Sequence, residues 1–380
     1  MNILLLERDL SCRGGCETMA FAVTRGLAER GHTIFLAHEV TSTLVDENCS
    51  IFQDIKTVRL QPFGWRKLLQ SLLTAWTIRR LVKLWKIDVV FTTHRGFLRT
   101  LALLNVISNV PFVYRLALGP PDKGGSNTWA IRKMNAGISP SKTNGEEWVV
   151  AGLPREKLYV VPNWIDFERF KPCPDKMKQR HELGLNGSAT MIVYVGRVVP
   201  EKGVEILLRA FADLSSKRGK MILVVVGGVT QDYAKQLAAL CERLGLSKEQ
   251  VRMAGASREP ERYYAAADVA VVPSLALETF GLTAIEAMAC GALTIVSSAG
   301  ELPFNMGVEN QDLVFRTGDA SELARLLADW TRSQQAASER GLKLRDFAKS
   351  HFQMHGKIDH YETIINSVVR RKQTPTQAGK

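Results

Sequence analysis

The chain has 380 residues, enough for two domains of about 190 residues that each bury their own core. Hydrophobic residues make up 46% of it and charged residues 23%, which excludes a disordered chain, a collagen-like repeat and a bare coiled coil. The 50 basic side chains exceed the 38 acidic ones by 12. This balance favours an anionic partner: nucleic acid, an anionic membrane surface or phosphorylated small molecules.

Cysteine usage and the amino-terminal segment indicate a cytoplasmic protein. The six cysteines show no Cys-x-x-Cys spacing, so neither a disulfide framework nor a zinc site is expected. The apolar start is interrupted by Glu7, Arg8 and Asp9 and is too short for a signal peptide. No uncharged apolar run reaches ~18 residues, so we expect no transmembrane helix.

The first half alternates between apolar strands and helices. The run Asn2–Leu6 predicts a buried parallel strand, and a loop with Gly14 and Gly15 leads to a predicted helix over Glu17–Arg30 that Gly31 ends. Further strands are predicted over residues 33–37, 87–92 and 112–116. This alternation is typical of a doubly wound α/β unit.

The same pattern restarts after residue 170, where residues 171–174 interrupt regular structure and predict a linker. Strands are then predicted over 191–195, 221–226, 251–254, 269–272 and 293–296, with helices over 204–214, 233–244 and 282–289. The predicted organisation is a domain over 1–170, a domain over 171–350, a final helix over 351–371 and a disordered tail over 372–380. The fold class is α/β, with two Rossmann-like doubly wound domains facing across a cleft, where ligands lie at the carboxyl ends of the strands.

A cationic loop follows the predicted strand 191–195. Gly196 and Arg197 end that strand, and Lys202 precedes the predicted helix. The helix N-terminus contributes ~0.3–1 kcal/mol to anion binding, and each charge-assisted hydrogen bond contributes roughly 1.5–3 kcal/mol. A diphosphate is the expected ligand. The alternative is a loop whose cations are merely solvated.

Two carboxylates stand eight residues apart in the second half. Glu278 lies in the loop after strand 269–272, and Glu286 lies on the second turn of the next helix. Gly281 lets the backbone approach a ligand and begin that helix. The two carboxylates would bind vicinal hydroxyls of a ribose or hexose, and the amides of Gly281 and Leu282 would reach phosphate or sugar oxygens. A surface glutamate and a helix-start glutamate are the alternative.

Together these motifs resemble the retaining glycosyltransferases of family 4, which have the two-domain GT-B fold. The resemblance rests on GR at 196–197, KG at 202–203 and the run ETFGLTAIEAMACG at 278–291. In the first half, GG at 14–15 and VPNWID at 161–166 are similar to further family motifs. The resemblance covers most of residues 1–345.

The resemblance implies a role for each matched residue. Arg197 and Lys202 would bind the donor diphosphate and stabilise the leaving nucleotide. Glu286 would hold the ribose hydroxyls, and Glu278 would hold hydroxyls of the transferred sugar, so that Arg197, Lys202 and Glu278 are catalytic candidates. The remaining donor-binding residues that it implies are Gly14, Gly15, Gly196, Phe280, Gly281 and Leu282.

The resemblance also implies a reaction. A sugar would move from a UDP- or GDP-type sugar nucleotide with retention of configuration, through a same-face reaction in which the departing phosphate oxygen helps to deprotonate the acceptor. No Asp-x-Asp triplet occurs in the chain, and with the two cations this favours a reaction without metal or cofactor. The implied acceptor is a glycan or lipid-linked molecule of bacterial envelope polysaccharide or lipopolysaccharide synthesis. In this fold the final helix crosses back to the first domain.

Two positions depart from the family pattern. Relatives often place a histidine near the sugar where this chain has Ala117, and Trp164 replaces the common glycine of the VPNGVD segment. His94, at the end of the preceding strand, is the remaining catalytic candidate and would assist the acceptor or the sugar. A purely structural histidine is the alternative.

A basic aromatic stretch spans residues 63–86. It contains six cations, three tryptophans and no acid. This composition predicts a helix that lies on an anionic bilayer, with about 1 kcal/mol per Lys or Arg near the surface, and hence a peripheral location on the inner face of the plasma membrane. The alternative is a domain helix with a solvated basic face. No recognition motif accompanies the charge, so nucleic-acid binding is not expected.

Other classes of function fit the same two-domain outline. A non-catalytic two-lobed protein would bind a nucleotide or sugar without turnover, and a GT-B epimerase would act on a sugar nucleotide without an acceptor. A dinucleotide oxidoreductase is disfavoured because the first loop lacks Gly-x-Gly-x-x-Gly. A phosphorylase would need a cofactor-bearing lysine, for which the sequence offers no candidate.

Overall fold

The computed structural model describes residues 1–10, 15–40, 43–58, 67–122, 124–185, 187–216 and 220–373. It divides into two compact units. The first comprises Met1–Asn163 together with the chain from His355 onward, and the second comprises Trp164–Met354. The chain therefore leaves the first unit at Asn163, whereas the sequence predicts the boundary at residue 170. The predicted tail over 372–380 lies outside the described residues from 374 on.

The first unit is built on a parallel sheet of seven strands within the described ranges, in the order β3-β2-β1-β4-β5-β6-β7. Short runs rich in Val, Ile, Leu and Phe form the central strands, which are buried on both faces as parallel strands require. The strands are β1 Asn2–Asp9, β2 Thr33–Val40, β3 Phe52–Thr57, β4 Val89–Thr92, β5 Phe112–Arg115, β6 Ala136–Ser139 and β7 Leu158–Val160.

Helices cover this sheet. They are α1 Gly15–Glu29, α2 Thr43–Asn48, α3 Lys67–Leu84, α4 Leu98–Ser108, α5 Gly125–Arg132 and α6 Lys142–Val150, with short 3-10 turns at Cys49–Ile51, Arg95–Phe97 and Arg155–Lys157. A last helix, α15 Lys357–Gln373, belongs to the same unit. It packs on α1, where Gly26 leaves room for the side chain of Ile358. Arg30 binds Asp359 at 2.5 Å and His32 binds Glu362 at 3.0 Å, so the closing helix is held by both packing and charge.

The carboxy-terminal helix begins later than the sequence predicts. His351 lies near the end of the preceding helix, which closes at Phe352, and α15 starts only at Lys357. Between them Gln353 is extended and Gly356 has φ +72°. A left-handed residue cannot continue an α-helix, so the predicted single helix over 351–371 is two elements.

The second unit has a parallel sheet of six strands among the residues described, in the order β10-β9-β8-β11-β12-β13. The strands are β8 Thr190–Val195, β9 Met221–Val226, β10 Val251–Gly255, β11 Val269–Val272, β12 Leu293–Ser297 and β13 Val314–Phe315. Runs such as MILVVV and LTIVS are buried along their length because helices cover both faces.

Eight helices of the described chain surround this second sheet, joined by 3-10 turns at Pro200–Lys202 and Val308–Leu313. They are α7 Lys176–Glu182, α8 Val204–Ser215, α9 Gln231–Arg243, α10 Pro260–Ala266, α11 Leu282–Ala289, α12 Leu302–Met306, α13 Ala320–Trp330 and α14 Gln334–Phe352. In α8 the apolar residues Val204, Leu207, Leu208 and Phe211 are buried on one face. One hydrophobic cluster joins them to the central strands.

In the described part of the chain, none of the helices has the length and apolar character needed to cross a bilayer.

Candidate active site

The predicted donor-site residues of the second unit converge where its strand order reverses. β8 pairs with β9 on one side and with β11 on the other. The chain therefore extends the sheet from β8 through β9 to β10, and then returns to add β11 on the other side of β8. Ligands of doubly wound sheets bind outside the carboxyl ends of the strands at such a switch point. The segment 196–203, here called the β8 loop, and the segment 273–281, here called the β11 loop, both lie there.

The β8 loop holds an exposed arginine on a fixed backbone. The hydroxyl of Tyr194 donates to the carbonyl of Arg197 at 2.7 Å. Burial raises the pKa of the Tyr194 phenol well above its usual range, so it stays a neutral donor. The Arg197 side chain is exposed. A guanidinium held at a strand end and open to solvent is suited to binding a phosphate.

The two loops touch backbone to backbone. Gly203 has φ +71°, and a Cβ placed there would lie 1.9 Å from the carbonyl oxygen of Pro273. The amides of Leu275 and Ala276 both donate to the carbonyl of Glu201, at 2.9 and 3.1 Å. Glycine is therefore required at position 203, because both the conformation and the close approach exclude a side chain.

An ion pair joins the loops at the side-chain level. Lys202 Nζ lies 2.5 Å from Glu278 Oε1, and both side chains are largely buried, with 26% and 14% of their surfaces exposed. The two residues stand 76 positions apart in sequence. The structure thus brings together a predicted phosphate ligand and a predicted sugar ligand.

Glu278 is held by a further set of contacts that the sequence motifs do not reveal. The hydroxyl of Ser274 donates to Glu278 Oε1 at 2.5 Å. The carbonyl of Glu278 accepts from the amide of Glu301 at 2.9 Å, and Gly300 passes so close that a Cβ there would meet the Glu278 backbone. A serine four residues before the glutamate was the one signal available in the sequence.

Two helix N-termini open at the same edge of the sheet. α8 follows Gly203 and α11 follows Gly281, both with left-handed backbone, and among the described residues no side chain caps either helix. The first amides of a helix lack partners within it and carry the positive end of its dipole. These groups are two further candidate anion-binding elements beside Lys202 and Arg197.

Phe280 contributes to the site through its packing. Its ring is buried and meets Phe352 edge-on at 5.9 Å between centroids, and its carbonyl accepts from the side-chain amide of Asn305. Leu282, the first residue of α11, is partly buried. The structure therefore places the Phe280 side chain, which the sequence predicts to bind the donor, in the hydrophobic core.

Glu286 lies on the second turn of α11 in a desolvated position. Burial raises the pKa of its carboxyl to about 7, although the positive charge of Arg169 acts in the opposite direction. The hydroxyl of Tyr264 lies 3.5 Å from Glu286 Oε2. A carboxylate kept in such surroundings costs stability in the folded protein, and costly groups of this kind cluster at functional sites.

The predicted site residues of the first unit lie at the carboxyl edge of its own sheet. Gly15 is the first residue of α1, and Gly14 lies outside the described residues. His94 follows β4, and its Nδ1 accepts from the amide of Gly96 at 3.1 Å. A neutral imidazole in this arrangement carries its proton on Nε2. Gly15 and His94 belong to the unit that does not contain Lys202 and Glu278.

The first unit contains a buried acid that its sequence pattern does not predict. Glu7 interrupts the apolar run at the chain start, yet β1 continues to Asp9 and Glu7 is only 3% exposed. Its Oε1 accepts from the amide of Thr93 at 2.8 Å, and burial raises the pKa of its carboxyl to about 8. Glu7 therefore links β1 to the segment after β4 that carries His94. A single acid inside an apolar strand was the available signal.

The described residues contain no cluster of three or more His, Cys, Asp or Glu side chains that could hold a metal ion. The charged residues within the β8 and β11 loops are Arg197, Glu201, Lys202 and Glu278.

Comparison with known proteins bears on the family and the fold of the chain. The sequence profile described as "Glycosyl transferases group 1" matches residues 175–349, and the profile described as "Glycosyltransferase Family 4" matches residues 13–169. Among solved structures, Anabaena Alr3699/HepE in complex with UDP superposes with a TM-score of 0.83 at 22% identity, over 97% of this chain and 100% of that one. WaaG, a glycosyltransferase involved in lipopolysaccharide biosynthesis, superposes at 0.71 and 16% identity, over 96% and 99%.

The fold is the GT-B fold of two Rossmann-like units. The chain belongs to glycosyltransferase family 4. Curated relatives include a D-inositol 3-phosphate glycosyltransferase of Segniliparus rotundus, 39% identical over 152 residues, and one of Mycobacterium sp. strain KMS, 32% identical over 223 residues. These matches cover 39% and 58% of this chain, and only 33% and 48% of the relatives' own lengths.

Proposed function

We propose that this protein transfers a sugar from a nucleotide-diphosphate sugar to a glycan or lipid-linked acceptor, with retention of configuration and without a metal. The observation that carries the proposal is the junction of the β8 and β11 loops, where Lys202 pairs with Glu278 beside two helix N-termini without side-chain caps, with Arg197 exposed on the same loop as Lys202. This combination offers positive charge for a diphosphate beside a carboxylate for sugar hydroxyls.

In this proposal each group has a separate task. Arg197 and Lys202 bind the diphosphate and stabilise the charge that develops on it as the sugar leaves, the role that a divalent cation fills in metal-dependent transferases. Glu286 accepts hydrogen bonds from the ribose hydroxyls. Glu278 accepts them from the transferred sugar, and its contact with Lys202 keeps the sugar beside the phosphate that departs.

Retention follows if the acceptor attacks the face that the nucleotide leaves. The departing phosphate oxygen, bound by Lys202 and Arg197, then takes the proton of the acceptor hydroxyl. The proton moves from acceptor to phosphate as the new glycosidic bond forms and the old one breaks. His94 of the first unit is proposed to assist the acceptor or the sugar, and the amide of Gly15 is proposed to bind the diphosphate.

The comparisons support a uridine nucleotide as the first donor to test. Alr3699/HepE has been crystallised with UDP, with UDP and glucose, and with UDP-glucose. For the acceptor we propose a bacterial envelope glycan or lipopolysaccharide, consistent with the pathway of WaaG. The names of the curated relatives make D-inositol 3-phosphate the competing acceptor.

The exposed face of α3 supports a peripheral location on the inner face of the plasma membrane. Residues 67–86 of the predicted stretch 63–86 are described. Exposed Leu72, Leu73, Trp76 and Leu84 share one face, and the guanidinium of Arg80 lies 3.4 Å from the Trp76 ring centroid. Apolar and cationic side chains on one helix face suit the interface of an anionic bilayer. Trp85, by contrast, is buried and stacks on Phe35 at 5.0 Å, so it serves the core.

Thermal shift with nucleotides tests the donor site. UDP, GDP, ADP and their glucose conjugates are added to the full chain, with and without EDTA. One nucleotide is expected to raise the melting temperature, equally in EDTA, and the rise is expected to vanish in Lys202→Ala. A shift that EDTA abolishes would contradict the metal-independent site, and no shift with any nucleotide would contradict the donor proposal.

Turnover tests the rest. The sugar conjugate of the nucleotide that binds is incubated with lipopolysaccharide core fragments or D-inositol 3-phosphate. The glycosylated product is followed by NMR. The anomeric configuration of the transferred sugar is expected to be the same in the product as in the donor. An inverted product would contradict retention, and conversion of the sugar nucleotide without any acceptor would favour an epimerase.

A further inference from the structure

Ser274 occupies the point where the β11 loop leaves its strand. It lies two residues beyond β11, is 1% exposed and is surrounded by the sheet edge. Its hydroxyl donates to Glu278 Oε1 at 2.5 Å, and its carbonyl accepts from the hydroxyl of Ser297 at 2.7 Å. Ser297 is the last residue of the neighbouring strand β12. Two hydrogen bonds therefore connect β12 to the carboxylate through Ser274, one to its backbone carbonyl and one from its hydroxyl.

The directions of these hydrogen bonds are fixed by chemistry. A hydroxyl has one proton, and the Ser274 proton is directed to the carboxylate, which can only accept when ionised. Ser297 donates to a carbonyl, which has no proton to give. Lys202 donates to the same Glu278 oxygen at 2.5 Å. Oε1 of Glu278 is thus bound by an ammonium and a hydroxyl on two different elements.

The backbone of Glu278 is equally constrained. Its carbonyl accepts from the Glu301 amide, and Gly300 packs directly against it. With main chain and Oε1 both held, rotation of the carboxylate is restricted to one orientation. Hydrogen bonds to an ionised group inside a largely buried site are strong, and losing one leaves the charge less well oriented.

We propose that Ser274, supported by Ser297, is a positioning residue that sets the orientation of Glu278 for recognition of the transferred sugar. The inference rests on the proposed function, because it assumes that Glu278 faces the sugar. It adds a residue that acts through Glu278 and not on the nucleotide. The consequence is selective: loss of the Ser274 hydroxyl weakens binding of the sugar portion of the donor and leaves binding of the nucleotide intact.

Calorimetry with UDP and UDP-glucose separates this role from a general structural one. In Ser274→Ala the affinity for UDP is expected to equal that of the unaltered protein, while the affinity for UDP-glucose falls about tenfold, the scale of one charge-assisted hydrogen bond. Ser274→Thr keeps the hydroxyl and is expected to restore most of the loss. Equal losses for UDP and UDP-glucose, or no loss for either, would overturn the proposal.

Ser298→Ala is the matched control. Ser298 follows Ser297 directly, is exposed and pairs with Thr317 at 3.1 Å, away from Glu278. The Ser298→Ala change removes a serine hydroxyl oxygen, as Ser274→Ala does. It is expected to leave the affinities for UDP and for UDP-glucose unchanged.

A double-mutant cycle tests the contact between Ser274 and Glu278 even if neither UDP nor UDP-glucose binds. Failure of the unaltered protein to bind UDP and UDP-glucose would count against the uridine donor, not against the contact. Melting temperatures of Ser274→Ala, Glu278→Gln and the double variant are then compared. Shifts that fail to add indicate that the two side chains interact, and additive shifts would overturn the proposal whatever the donor is.

Discussion

Among the side chains of the proposed site, Glu286 has the clearest cost in stability. Its pKa of about 7 exceeds the ordinary value of 4.5, so the folded protein binds a proton that the unfolded chain releases between these values. The stability contributed by this proton is complete below about pH 4.5 and is lost as the pH rises through 7. In the proposed function, Glu286 accepts from ribose hydroxyls in its ionised form, which is the form that destabilises the fold.

Glu286→Gln is therefore expected to raise the melting temperature at pH 8, by more than at pH 5, while it lowers turnover. Differential scanning fluorimetry across this pH range provides the measurement. Glu259→Gln, a change at an exposed acid on the same unit, is the control and is expected to shift neither. If Glu286→Gln lowers the melting temperature at pH 8, the carboxyl is stabilised by partners and the proposed trade-off is wrong.

In the proposed function, Lys202 acts by stabilising the transition state. Removing one donor to developing negative charge costs about 10²–10³ in rate in well-studied sites, and Lys202→Ala also leaves Glu278 without its ammonium partner. We expect turnover to fall by at least ~10², with the folded structure retained as judged by circular dichroism. Lys235→Ala, at an exposed lysine of α9, should leave turnover unchanged. Near-normal activity of Lys202→Ala would contradict the assignment of Lys202 to the active site.

At the scale of elements, the decisive feature is the contact between the β8 and β11 loops. Strand pairing brings β8 beside β11, and glycines then allow the following loops to meet without side chains. Gly203 and Gly245 have nearly the same left-handed backbone, φ +71° and +68°, but only Gly203 faces another backbone atom, while a Cβ at Gly245 would meet nothing within 4 Å.

This pair of glycines separates conformation from contact. Gly245→Ala is expected to cost about 1 kcal/mol, the price of a left-handed alanine. Gly203→Ala adds a collision with the Pro273 carbonyl and is expected to cost more and to weaken nucleotide binding. Urea unfolding and calorimetry with UDP measure the two effects. Equal costs in both variants would show that the loop contact adjusts freely.

The predicted fold elements of the first unit show how far local pattern extends. The apolar runs locate β1, β2, β4 and β5, and helix periodicity locates α1. The strand alternation does not reveal that Glu7 is buried within β1, because an acid in a strand end is ordinarily solvated. Its burial depends on the Thr93 amide, which the sheet brings to it from 86 residues away.

For the whole molecule, the net charge of +12 and the exposed face of α3 both support the proposed binding to an anionic membrane surface. Leu73→Glu with Trp76→Glu is expected to reduce co-sedimentation with vesicles of anionic phospholipid several-fold and to leave UDP binding unchanged. Ala75 and Ile78 on the opposite face are buried, so the two altered residues lie outside the core. Binding by the unaltered protein should also weaken as salt rises, because surface charge is screened.

Leu342→Glu is the matched control for this measurement. Leu342 lies on α14 and is 48% exposed, a fraction equal to that of Trp76, but it belongs to the second unit. Its replacement should leave vesicle binding unchanged. Loss of binding in Leu342→Glu to the same extent, or none in the α3 variant, would show that charge alone and not the α3 face governs association.

The sequence by itself determined the alternation of strands and helices, the basic balance, and the identity of the two cations and two carboxylates, because periodicity and short motifs are local properties of a chain. Tertiary structure decided which of these residues meet. The ion pair of Lys202 with Glu278 joins positions 76 residues apart, and it exists because β11 is inserted beside β8 at the switch point. The same long-range order places Ser274 against Glu278, buries Phe280 and Trp85 in the cores, and breaks the final helix at Gly356.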